Sequence, residues 1–125
     1  MELTLREQVA ASLKAVEPTP QGLQGLLVFA ADLPVFAGHF PGAPLVPGIF
    51  LIENMRLTVE RVLGVELLLD VIVDARFTAP IGPEGRVAFD ASITEEDGGW
   101  SVRAHCEHME TSAAKLRLCF RAGAR

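Results

Sequence analysis

The C-terminal half of the chain alternates between apolar and polar residues. In "RVAFDASIT", Val87, Phe89, Ala91 and Ile93 share one face. In "WSVRAHCEH" the shared set is Trp100, Val102, Ala104 and Cys106, and in "AAKLRLCFR" it is Leu116, Leu118 and Phe120. A period of two sends successive side chains to opposite faces, so each stretch predicts a half-buried strand. "EEDGG", between the first two, is a hairpin signal. Upstream, "ELLLDVIVDARF" reads as a long strand, "APIGPEG" as a turn and "LQGLLVFAADL" as a buried strand. "EPTPQG" is a turn or loop on its Pro, Thr and Gly content. The stretch before it, to Val16, fits either a helix or a strand.

One segment breaks the alternation. "IFLIENMRLTVERVLG" places Ile49, Phe50, Leu51, Ile52, Met55, Val59, Val62 and Leu63 at helical spacing. The helix should begin near Pro47–Gly48, because proline suits a first helical position whose N–H has no intrahelical acceptor. Gly64 is a natural stop. The first turns are apolar almost all round, which predicts burial on every side. The second half turns amphipathic, with Arg56, Glu60 and Arg61 directed outward. Ahead of the helix, Pro34 to Gly48 holds four prolines and three glycines, too many for a long regular element. A curved antiparallel sheet wrapped around one long helix, an α+β arrangement, accommodates all these pieces.

Size and charge narrow the class. A chain of 125 residues, half of them hydrophobic, predicts one domain over residues 1–125 with a core that needs no metal or disulfide. A net charge of −5 argues against nucleic-acid binding, which needs a basic footprint. Lys115, Arg117 and Arg121 share one face of the last strand and read as a solvated surface. Cys106 and Cys119 sit in separate strands and read as small, core or half-buried residues. The N-terminus lacks a secretory layout, and no apolar run approaches the ~20 residues of a membrane span, so the expected location is cytoplasmic. His105 and His108 fall on opposite faces of a strand, so they are not expected to share a metal.

The candidate chemistry lies in "GHFPGAPLVPGIFLIENM". His39 sits in a loop stiffened by glycine and proline, and a neutral imidazole can accept a proton near pH 7. A lone histidine is also often structural or simply exposed. Glu53 lies inside the apolar helical run. Burial there either raises its pKa, leaving it protonated as a general acid, or demands a partner such as Arg56 or Arg61. It could instead occupy a locally exposed stripe. The N–H groups of Gly48 and Ile49 open the helix without intrahelical acceptors and favour negative charge on a ligand oxygen. A base, an acid and oxyanion donors suit proton transfer on a carbonyl compound.

This segment resembles the active-site stretch of the FabZ/FabA-type 3-hydroxyacyl acyl-carrier-protein dehydratases. The similarity is greatest to the FabZ pattern G-H-F-P-G-x-P-x-x-P-G-x-x-x-x-E, with the same fourteen positions between His39 and Glu53. "ARFTAPIGPEG" is similar to a second family stretch, and the resemblance spans roughly residues 25–121. It implies a hot-dog fold and elimination of water from a 3-hydroxyacyl thioester to give a trans-2-enoyl thioester. It assigns His39 to removal of the C2 proton and Glu53 to protonation of the departing hydroxyl. Gly48 and Ile49 fall at the thioester carbonyl, with the Gly48 N–H polarising it. Phe40, Pro47, Phe50 and Ile52 fall on an acyl tunnel. It also implies a homodimer, or a trimer of dimers, in which the histidine of one subunit meets the glutamate of the other. The substrate arrives on the phosphopantetheine of an acyl carrier protein or on coenzyme A, with no metal or other cofactor. Arg76 or Arg86 would offset the acidic net charge toward an acidic carrier. "ENMRL" stands where the family has E-A-M-A-Q, which suggests a divergent member serving a specialised acyl pathway. The rival readings are a hot-dog thioester hydrolase and a non-catalytic acyl- or carrier-binding module.

Overall fold

The computed structural model describes residues 3–37 and 44–123. The undecided N-terminal stretch is both things in turn: helix α1 (Leu5–Ser12), then strand β1 (Leu13–Pro18). A reciprocal capping box starts α1, with the Thr4 hydroxyl accepting from the Glu7 N–H and the Glu7 carboxylate accepting from the Thr4 N–H. Strand β2 (Gly22–Val28) follows, then a single 3₁₀ turn at Pro34–Phe36 and the long helix α2 (Gly48–Leu63). Strands β3 (Leu67–Phe77), β4 (Arg86–Glu96), β5 (Gly99–His108) and β6 (Thr111–Ala122) complete the chain.

The six strands form one antiparallel sheet in the order β1-β2-β4-β5-β6-β3. The alternation places the predicted residues inward. Val87, Phe89, Val102, Cys106, Leu116, Leu118 and Phe120 are all buried, and Gly98 turns the β4–β5 hairpin with φ of 78°. Met55 and Val59 of α2 are buried in the same core, and the Phe29 and Phe50 rings meet at 6.4 Å. Helix α1 packs on α2, which also meets β1, β2 and β3 and is buried from Phe50 to Arg56 and at Thr58 and Val59.

Three expectations for α2 need correction. Pro47 is the residue before the first helical one, in extended conformation, so Gly48 takes the first helical position. Ile49 is 48% exposed, so the first turn is not buried on every side. Arg56 points inward and is 7% exposed. Gly64 ends the helix as expected, in the left-handed conformation with φ of 70°.

Candidate active site

The helix start and Glu53 belong to one element. They lie five residues apart, a rise of about 7.5 Å along the axis. At the start, Pro47 offers no side-chain cap, and the Phe50 N–H turns back to the Pro47 carbonyl at 3.0 Å. The Gly48 and Ile49 N–H groups therefore point out of the helix end. Phe77, at the end of β3, lies flat against Gly48. A Cβ at residue 48 would sit 2.5 Å from the ring, so only glycine fits the ring in this position. A pocket of about 270 Å³ opens beside this contact, lined by Leu45, Val46, Leu51, Phe77, Pro80 and Ile81 among others.

Glu53 is 8% exposed and closely partnered. Arg56 donates to both of its oxygens, from Nε at 2.9 and 3.1 Å and from Nη2 at 2.6 Å. The same guanidinium donates from Nη1 to Glu60 at 2.6 Å, and Glu60 accepts the Leu67 N–H at 2.8 Å. Arg6 of α1 approaches Glu53 at 3.9 Å from an exposed position. Hydrogen bonding to Glu53 raises the Arg56 pKa above its ordinary value against the opposing effect of burial, and the charges of Glu53 and Glu60 add to the rise. Of the two possibilities for a buried Glu53, the structure shows the ion pair with Arg56. An apolar pocket holding Glu53 without a countercharge is not what surrounds it.

The other sequence candidates separate. His39 and Phe40 lie outside the described residues. Pro47 is half-buried at the helix start, while Phe50 and Ile52 are buried in the core and do not line the 270 Å³ pocket. His105 bonds Ser112 at 3.1 Å and His108 bonds the Arg86 carbonyl at 2.9 Å, which accounts for both as structural. Among the described residues no cluster of His, Cys, Asp or Glu is arranged to hold a metal. Two residues escaped the sequence reading. Phe77 shields the helix start, and only its place in "ARF" hinted at this. Asn54 is fully buried, and neither end of its amide has a hydrogen-bond partner among the described residues.

Residues 15–115 match the ApeI-like family, described as ApeI dehydratase. The chain belongs to this family. Among curated proteins, the 3-hydroxyacyl acyl-carrier-protein dehydratase FabZ of Rhizobium rhizogenes is 34% identical over 90 residues, which cover 66% of this chain and 57% of that protein. The Rhizobium etli FabZ is 37% identical over 91 residues with the same coverage. The matched stretch thus spans just over half the length of these relatives. Among solved structures, the dehydratase heterocomplex ApeI:P from Xenorhabdus doucetiae superposes with a TM-score of 0.74 at 20% identity, covering 87% of this chain and 96% of that one. That likeness fixes the fold: ApeI-like dehydratases and this chain share the hot-dog arrangement of a curved sheet on one long helix. Among the described residues no helix is long and apolar enough to cross a membrane.

Proposed function

We propose that the protein is a dehydratase acting on 3-hydroxyacyl thioesters carried by an acyl carrier protein or coenzyme A. The observation that supports this most is the pairing on one helix of a buried carboxyl group, Glu53, with uncapped N–H groups at Gly48 and Ile49. The thioester carbonyl accepts from the Gly48 N–H, which stabilises negative charge as the C2 proton leaves for the His39 imidazole. Glu53 enters the cycle protonated and passes that proton to the departing hydroxyl; the carboxylate paired with Arg56 is the form that remains, and the proton taken up by His39 returns to it before the next turnover. The net change is loss of one water and formation of the C2–C3 double bond. Imidazole, carboxyl group and helix N–H groups together supply every proton and dipole the elimination needs, so the reading calls for no further cofactor.

The assembly that suits this site is a dimer joined along β3. This strand is a sheet edge, and Val71, Ile72, Val73 and Phe77 on it are about half exposed, as is the nearby Ile49. A bare apolar edge strand is a ready template for a second one. A dimer is also what the resemblance to the FabZ pattern implies, with the histidine of one subunit meeting the glutamate of the other. We take the second subunit to be another copy. The Xenorhabdus neighbour's description as a heterocomplex makes a different dehydratase chain the alternative outcome.

The deciding experiment mixes the protein with 3-hydroxyacyl and trans-2-enoyl thioesters and follows the conjugated enoyl absorbance in both directions. Reversible hydration, lost in a folded His39→Ala variant, is expected. Unchanged turnover in that variant refutes the assignment. A second reading, a non-catalytic acyl-binding module, draws on the Glu53–Arg56 pair, which engages both carboxylate oxygens. Tight binding of acyl thioesters without turnover at any chain length would establish it instead.

A further inference from the structure

The face of the sheet turned away from α2 carries a concentration of cations. Arg103 on β5 stands directly opposite Arg117 on β6, and His105 stands opposite Lys115. Lys115 in turn stands opposite Arg76 on β3. Like charges directly opposite on one sheet face repel. Acids lie only at the margins: Asp74 opposite Arg117 on β3, and Asp90 opposite His105 on β4. Asp74 is already engaged by Arg76 at 3.1 Å. Among the described residues Arg103, Lys115 and Arg117 form no ion pair. All these groups line a trough of about 710 Å³ that runs across five strands, with Thr19, Gln21, Gln24 and Ser92 on its far wall. In a chain of net charge −5, four fixed cations around one concavity do not reflect the general surface.

We propose that this trough binds a phosphate-bearing small molecule. Its phosphate or diphosphate sits between Arg103, Lys115 and Arg117, and the hydroxyl and amide groups of the far wall take the polar remainder. A bound anion turns the Arg103–Arg117 repulsion into shared attraction, and guanidinium groups suit phosphate oxygens geometrically. The volume falls in the ~300–1,000 Å³ range of small-molecule sites. No Phe, Tyr or Trp lines the trough, so it lacks the stacking platform that single-stranded nucleic acid requires. The site lies on the opposite face from Glu53 and is independent of the dehydratase reading.

Inorganic pyrophosphate and coenzyme A are the probes, read by calorimetry and by thermal unfolding with ionic strength held constant by chloride. Both should bind the native protein and raise its melting temperature. The Arg103→Gln/Arg117→Gln double variant should bind pyrophosphate about tenfold more weakly or worse. Without ligand it should melt close to the native protein, because the lost Arg103–Arg117 repulsion is offset by the lost Asp74–Arg117 attraction. Binding of pyrophosphate alone supports the site with a smaller occupant. Failure of the native protein to bind either probe, or equal affinity in the double variant, overturns the proposal. Should the double variant not fold, Lys115→Gln removes one charge from the same block and is held to the same comparison.

Discussion

Replacing Arg56 with methionine removes the guanidinium and keeps most of the side chain's length and apolar stem. The structure sets the size of the effect. Arg56 and Glu53 are 7% and 8% exposed, and three hydrogen bonds join them. Without Arg56, Glu53 keeps only the distant and exposed Arg6, a contact worth about 1 kcal/mol at most. Glu60 retains the Leu67 N–H. Removing one member of a buried ion pair costs ~3–5 kcal/mol, because the other charge stays buried without a partner. For a chain of this length that lowers the melting temperature by roughly 10–20 °C. Urea unfolding of the native protein, Arg56→Met, Glu53→Gln and the double variant forms a complete cycle. The double variant should be more stable than Arg56→Met alone by at least about 1 kcal/mol, since it buries no orphaned charge. Additive losses, or an Arg56→Met loss below about 1 kcal/mol, would refute the buried pair as described.

Three further outcomes follow from the geometry. Gly48→Ala should displace the half-exposed Phe77 ring at a cost of about 1 kcal/mol in stability, with thioester turnover falling much further; adding Phe77→Ala should restore the lost stability. Val71→Lys/Val73→Lys should convert a dimer to a monomer in sedimentation without lowering the helix content seen by circular dichroism, since both side chains are solvent-exposed on the β3 edge. Burial pushes the Cys106 thiol up to about 12 from 9.0, with the charge of Asp90 adding to the rise. The folded state therefore holds this proton where the unfolded chain releases it. The stability this contributes is complete below pH 9 and is lost as pH rises toward 12, a decline that Cys106→Ala should flatten in alkaline unfolding curves.

The sheet could be read from the sequence because its inner residues obey a local rule. Val87, Phe89, Val102, Leu116 and Leu118 alternate with more exposed neighbours, and one-sided burial needs nothing beyond that alternation. Strand β3 shows where the rule stops. Its apolar run reads correctly as a long strand, yet Val71, Ile72 and Val73 are each about half exposed. Whether an apolar strand is central or at an edge depends on its pairing with β6, far along the chain, and local periodicity carries no information about that partner. Helix α1 is similar. Its capping box, Thr4 with Glu7, was present in the sequence, but the short apolar stretch after it fits either period, so the packing of α1 on α2 could not be foreseen.

Arg56 is the charged residue whose direction the pattern gives wrongly. The amphipathic second half of α2 points it outward, whereas the guanidinium folds onto two acids of its own helix and is buried there. The spacing itself held the better clue. Glu53, Arg56 and Glu60 stand at i, i+3 and i+7, so the arginine is within reach of both acids on one helix face. A lone ionisable residue in an apolar helix is ambiguous between a perturbed acid and a surface stripe. A set of three at these intervals is not, because such a set can satisfy its own charges without water. The structure shows that closure, down to the Leu67 N–H taken by Glu60. The same network ties the carboxyl group on α2 to the first residue of the edge strand β3. A dimer joined along β3 would therefore rest on the element that anchors Glu53, and a substitution at Arg56 should disturb both the carboxyl group's position and the strength of subunit association.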